Sequence, residues 1–352
     1  MFSSLTFLIE KTAKSSEFKG ASKESQVAAK HLHELLVAHY VKHPHLDARH
    51  GINVFKHPDG NGRSPQQLHD HIRNNVLSKA QYDSVHEKAK GAAHHIRSEI
   101  EKNGHSVEDA HWTSKPGDME KTTSDLKLDH GKKNADRSDI MVIARDKDKK
   151  KKYYGRSLKV TETDDPNVTT GNLGAHHFDG LHEYLAHHRK NIHQKYNIAH
   201  LSRNERKHFF NTHPEEKLRM KADNLKALHK SAEIAANHLK KLPARHLAHF
   251  VRHEVLGAEP TPLQKAGHYF SKTITHYDTK GNVQHTSYNP HEKYGPKLDD
   301  HEHLGIEHSG SSVYVTHKGK RFAKISMKYR SQSAGPDQLS ATAGAYGKHK
   351  DE

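Results

Sequence analysis

Ser138-Asp139-Ile140-Met141-Val142-Ile143-Ala144-Arg145, then Asp146-Lys147-Asp148-Lys149-Lys150-Lys151-Lys152, then Tyr153-Tyr154-Gly155-Arg156-Ser157-Leu158-Lys159-Val160-Thr161-Glu162, is the stretch on which the fold turns. The first segment is apolar and β-branched and reads as a strand, the second as a charged turn, and the third as the returning strand. A turn centred on Lys149 sets Asp139 opposite Lys159 and Met141 opposite Ser157. All four side chains then share one face, because side chains alternate along a strand.

A carboxylate beside a lysine across a hairpin is commonly a surface ion pair worth less than ~1 kcal/mol. The same pair is also the heart of a metal-dependent phosphodiesterase site. Asp139 would bind a hard divalent cation, Mg²⁺ or Mn²⁺. The Leu158 carbonyl, in the middle of Ser-Leu-Lys, would add an oxygen ligand, and the Lys159 ammonium would hold the attacking water or the phosphate.

The rest of the chain bounds the partners. Its 352 residues suffice for two or three domains, but only 32% are apolar, so the core is modest. Lys and Arg outnumber Asp and Glu by 57 to 42, a formal charge of +15 that favours a polyanion. The absence of cysteine excludes disulfides, thiolate zinc and iron–sulfur chemistry. The opening MFSSLTFLIE lacks the form of a signal peptide and no run approaches a membrane span, so neither secretion nor a membrane location is expected. With 38 histidines, pairs at helical spacing arise by chance and carry little information about metal.

The expected architecture is α+β. Residues 1–83 read as an N-terminal helical region beginning with a helix over Ser25–Val41, and a second helix runs from Ser84 to Asn103, stopped by Gly104. The core is expected at 84–200, a basic helical insertion at 201–260, and C-terminal strands completing the central sheet at 261–332. A loose tail follows at 333–352. In the insertion Leu218, Leu225, Leu228 and Ile234 are the expected inward positions. Tyr269–Tyr288 reads as a hairpin turning at Lys280-Gly281-Asn282, and Val313–Val315 with Phe322–Arg330 as another around Lys318-Gly319. The last carries a second Ser-x-Lys, Ser326-Met327-Lys328, but its turn sets Lys328 opposite Gly310 rather than an acid; Lys324, Lys328 and Arg330 there suit phosphate contacts or a solvated basic face.

The order of helix, glycine stop, strand, loop, Asp-bearing strand, hairpin and Ser-x-Lys strand resembles the PD-(D/E)xK nuclease superfamily over residues 84–190. That resemblance implies a restriction-endonuclease-like mixed sheet, with Ser138-Asp139 standing for the Pro-Asp element and Ser157-Leu158-Lys159 for (D/E)-x-Lys. Ser157 departs from the pattern. In members with such a serine the missing carboxylate moves to the next helix, which nominates Asp179 or Glu183; Asp118, Glu162 and Glu87 are further candidates. The chain also resembles tailed-bacteriophage proteins that carry Thr-Ser-Lys-Pro-Gly-Asp, Ser-Asp and Gly-x-Ser-Leu-Lys, here Thr113–Asp118, Ser138-Asp139 and Gly155–Lys159. This likeness implies a viral origin, with the protein in the infected host's cytoplasm or the virion, and supports Asp118 at the site.

The expected function is cleavage of DNA with Mg²⁺ or Mn²⁺. Asp139, Asp118, Ser157 and Lys159 would form the catalytic set. Asp139, Asp118, Leu158 and Glu183 would face the metal, and Thr113, Ser114, Lys115, Lys149, Lys150 and Lys151 the nucleic acid. Oligomeric state is open, a homodimer being one alternative. Two rivals make different predictions: a non-catalytic nucleic-acid-binding or virion protein with a nuclease-like sheet, and a histidine-rich structural protein that responds to pH. No Gly-rich phosphate loop, Gly-x-Ser-x-Gly elbow or kinase-like set is present.

Overall fold

The computed structural model describes residues 18, 21–52, 54, 63–113, 117–128, 138–162, 169–277, 282–329 and 339–346. The chain divides into two compact units, Met1–Asp165 with Pro260–Asn289, and Pro166–Glu259 with Pro290–Glu352. These limits differ from the expected ones chiefly because, of the strands expected at 261–332, Tyr269–Tyr277 and Val283–Tyr288 join the central sheet as expected and the later ones do not.

The first unit is built from helices α1 (Lys23–Lys42) and α2 (Lys79–Lys102) and strands β1 (Ser106–Trp112), β2 (Ile140–Arg145), β3 (Lys151–Glu162), β5 (Tyr269–Tyr277) and β6 (Val283–Tyr288). The sheet order is β1-β2-β3-β5-β6; β3 and β5 run parallel and every other pair antiparallel. A parallel pair needs a crossover, and here the chain makes it by leaving for the whole of Pro166–Glu259 before returning as β5. The sheet is therefore mixed, as expected, but the excursion starts well before residue 201 and includes a strand.

Alternation along β2 and β3 assigns the two faces. Ile140, Val142, Ala144, Tyr154 and Leu158 join one core with Leu32, Leu35 and Leu36 of α1 and Ile96 and Ile100 of α2. Met141 and Tyr153 turn the other way and pack with Met119 and Leu263. The N-terminal helices are thus a layer of this unit rather than a separate region: α1 lies on α2, β1 and β2, while α2 lies on β5 and β6. Ser78 starts α2 with a capping box completed by Gln81, and Gly104, at φ +76°, ends it where the sequence indicated.

In the second unit, β4 (Thr169–Leu173) pairs with β10 (Leu339–Ala345), which continues through β9 (Lys320–Tyr329) and β8 (Ser312–His317) to β7 (Leu304–Ser309), all antiparallel. Helices α3 (Leu181–Lys195), α4 (Arg203–Thr212), α5 (Pro214–Lys241), α6 (Ala244–Phe250) and α7 (Pro290–Asp299) belong to the same unit. The expectation that β7, β8 and β9 complete the central sheet is corrected: with β4 and β10 they form a sheet of their own, and β10 lies in the stretch expected to be a loose tail. The expected inward leucines of α5 are corrected too. Its buried row is Met220, Asn224, Ala227, Ser231, Ala232, Ala235, Ala236 and Leu239, while Leu218 and Leu225 are 65% and 51% exposed. Leu228 and Ile234, the other two expected positions, are partly buried, and α5 packs on β7, β8 and β9. None of the described helices is long and apolar enough to cross a membrane.

Candidate functional site

The hairpin register differs from the expected one by two residues. Ile140 faces Arg156 and Met141 faces Gly155, so the turn is centred on Asp148. The cause is Asp146, whose Oδ1 accepts the N–H groups of Asp148 (3.0 Å) and Lys150 (2.9 Å), with Lys149 left-handed at φ +60°. A shift of two preserves the faces but places Asp139 opposite Ser157, not Lys159.

Regular pairing of β2 with β3 stops at Ile140, while β3 runs on to Glu162 beside β5. At that parting the chain bends. The Asp139 N–H donates to the Arg156 carbonyl (2.7 Å), and its Oδ2 accepts the Leu158 N–H (2.6 Å) and, at 3.4 Å, the Ser157 hydroxyl. The carboxylate thus takes the ladder position that a strand carbonyl would fill. Since the N–H and C=O of a strand residue leave on the same edge, the Leu158 carbonyl projects on the Asp139 side.

The Thr113 N–H donates to the Asp139 carbonyl (3.0 Å), and its hydroxyl to the Ser138 carbonyl (3.0 Å). Thr113 is buried, so its expected nucleic-acid contact is corrected: it stitches the end of β1 to the bend. Ser114 and Lys115 lie outside the described residues. Trp112 is buried, and its indole N–H donates to Glu34 Oε2 at 3.1 Å.

Glu34, on α1, is the acid that the sequence reading missed. Its side chain is 2% exposed, and its Oε1 lies 3.2 Å from Lys30 Nζ without accepting a hydrogen bond. Burial and the Glu34 carboxylate push the Asp139 carboxyl above its ordinary range; Lys159, Lys30 and the Leu158 N–H pull the other way and do not prevail. The Glu34 charge also raises the Lys30 pKa, against the opposing effect of burial. Asp139, Lys159 and Lys30 each keep part of their surface open to solvent. Asp139 is therefore the point on which the charges of Glu34, Lys30 and Lys159 all act.

The other nominated acids lie elsewhere. Asp118 is buried at the start of a short helix, Asp118–Thr122, but the acid whose field acts most on Asp139 is Glu34. Glu183 is exposed on α3, and Asp179 pairs with His238 at 3.1 Å. Glu87 is 73% exposed beside His86 and Lys90. The Glu162 side chain lies outside what is described. At the hairpin tip Lys149, Lys150 and Lys151 are exposed, and Lys151 reaches Asp125 at 3.4 Å.

The sequence does hold a signal for Glu34: it is the sole acid between Glu24 and Asp47, set in an otherwise apolar and basic helix. For a cation, the oxygens on hand are Asp139, Glu34 and the Leu158 carbonyl. Among the described residues no group of three or more His, Asp or Glu side chains is gathered for metal. The Asp139 and Glu34 carboxylates feel each other's charge, and carboxylate oxygens suit a hard divalent ion, Mg²⁺ commonly completing its shell with water. Comparison with family models, with curated proteins and with solved structures finds no match for this chain.

Proposed function

We propose that the first unit cleaves phosphodiester bonds of DNA with Mg²⁺ or Mn²⁺ held by Asp139, Glu34 and the Leu158 carbonyl. The observation that carries this reading is the Asp139 carboxylate, held by the Leu158 N–H and the Ser157 hydroxyl where β2 parts from β3, partly exposed, and raised in pKa by burial and Glu34 against the pull of Lys159. Perturbed acids at accessible sites are a mark of chemistry rather than of packing. A bound divalent ion would supply an acidified water and charge neutralisation at the phosphate.

The protein groups divide the remaining work. Ser157 and the Leu158 N–H fix the rotamer of Asp139, and Trp112 fixes Glu34. The Lys159 ammonium orients the water or meets charge on the phosphate oxygens. Lys147, Lys149 and Lys150, exposed at the tip, would follow the DNA backbone and make binding steeply salt-dependent.

A second reading, DNA binding without cutting, draws support from the serine in place of an acid at 157 and from Lys30 already pairing with Glu34. Plasmid relaxation in Mg²⁺ or Mn²⁺ against EDTA, with Asp139→Ala, Glu34→Gln and Lys159→Ala, separates the two. Cutting that each variant abolishes while DNA binding persists supports the enzyme. Binding by the wild type with no cutting in either metal supports the second reading, and equal cutting by wild type and all variants removes this site from consideration.

A further inference from the structure

The second unit carries a cluster of rings and cations that the proposed chemistry leaves unused. β8 pairs with β9 from Ser312 opposite Ser326 to Val315 opposite Ala323, and then the register slips: Thr316 faces Arg321 and His317 faces Lys320. The extra residue lies on β9, which makes this a β-bulge, a device that re-aims a side chain. Without it, Arg321 would alternate into the buried row of Ala323, Ile325 and Met327. With it, Arg321 stands on the face of Tyr314, its guanidinium 4.1 Å from the ring centroid, and Glu307, opposite Tyr314 on β7, holds its Nε at 2.8 Å.

Lys324 faces Tyr314 directly, 5.6 Å from that ring and 5.9 Å from the ring of Tyr346, and the two rings meet edge to face at 5.0 Å. Tyr314, Tyr346 and Lys324 are half-buried and Arg321 is exposed. Beside them, in the next cross-strand row, lie the short hydroxyl side chains of Ser312, Ser326 and Thr342 from three neighbouring strands.

We infer that this face binds single-stranded DNA. Bases stack on Tyr346 and on the Arg321 guanidinium that covers Tyr314, and the charges of Arg321 and Lys324 meet the phosphates between them. Ring faces accept any base, so such a platform is tolerant of sequence, and cations set against the rings hold the charged backbone over them. Arg321, Lys324 and Lys328 outweigh Glu307 on this face, which suits a polyanion. A flat sheet with low rings offers no helix or ribbon to enter a duplex groove, so the unpaired strand is the better fit. The choice of DNA rests on the cleavage reading; the binding itself does not.

The test is fluorescence anisotropy of a labelled oligothymidylate with the full chain in EDTA, where cutting is absent. Tyr314→Ala weakens binding about tenfold or more, Tyr314→Phe leaves it near wild type, and Arg321→Gln lowers the salt slope by about one phosphate contact. The Phe variant separates loss of a stacking ring from loss of fold. Wild type that does not bind the oligomer, or Tyr314→Ala that binds it as wild type does, overturns the inference. A chain that binds but never cuts in Mg²⁺ defeats the cleavage reading alone.

Discussion

Replacing Asp139 by Asn should stabilise the protein while abolishing cleavage. Burial and Glu34 raise the Asp139 carboxyl above its ordinary value of 3.8. Folding therefore favours the protonated form, and ionisation of this carboxyl opposes the folded state. That penalty is absent below the unfolded value and grows as pH rises through the raised one. Asn keeps an oxygen for the Leu158 N–H and removes the charge. Each tenfold displacement of the protonation equilibrium is about 1.4 kcal/mol. For a unit of this size, 1 kcal/mol moves Tm by about 2–4 °C, so Asp139→Asn should melt about 3–6 °C above wild type at pH 7.5 for each tenfold displacement. The difference should shrink toward zero near pH 3.8. Asp139→Ala removes the acceptor as well, leaves the Leu158 N–H unpaired, and should fall below Asp139→Asn by about 1–3 kcal/mol. Mg²⁺ at about a hundred times its Kd should add roughly 2.7 kcal/mol to wild type and nothing to Asp139→Asn. Scanning calorimetry across pH, with and without Mg²⁺, reads all of this. If Asp139→Asn melts at or below wild type at every pH, the lysines over-compensate the carboxylate and the reasoning fails.

Three other perturbations bear on the same geometry. A Cβ at Gly155 would overlap the Ser138 hydroxyl, a buried group with no hydrogen-bond partner, so Gly155→Ala should displace the bend and cut cleavage by about tenfold to a hundredfold. Ser138→Ala in the same chain should restore most of the rate, and no recovery would place the fault elsewhere. Lys30→Met removes the cation now beside Glu34 and should lower the Mg²⁺ concentration for half-maximal stabilisation by about twofold to fivefold, read from a thermal-shift titration. Leu218→Lys with Leu225→Lys should change stability by less than ~0.5 kcal/mol in urea unfolding, because neither side chain lies in the buried row of α5.

The hairpin and its acid were legible because local composition decides them: a β-branched run, a charged turn, a second β-branched run. The register was not, since it depends on one side chain, Asp146, binding two backbone N–H groups to fix the turn centre. The helix row on α5 misled for a different reason. Leucines mark an apolar face, but a helix seated closely on a sheet is selected for small residues, and alanine carries little signal. β4 and β10 are short, rich in Thr, Ser and Gly, and gain strand character only by pairing with each other and with β9. Glu34 needed tertiary structure: nothing local says that a helix near the N-terminus will lie against the end of β1.

The direction of the Asp139 pKa is what sets this cluster apart from an ordinary ion pair. An exposed aspartate across a hairpin from a lysine has its carboxyl lowered by the opposite charge, and nothing opposes that. Here Lys159 and Lys30 do lower it, yet burial and a second carboxylate prevail. A fold selected only for stability would have neutralised one acid, since removing a buried charge repulsion costs nothing in packing. Keeping Glu34 aligned by the Trp112 indole, Asp139 aligned by the Leu158 N–H, and a lysine beside the pair retains repulsion at a place solvent can reach. That retained repulsion is stabilising only once a further cation arrives. It is therefore the feature through which metal binding, stability and cleavage are coupled at this site.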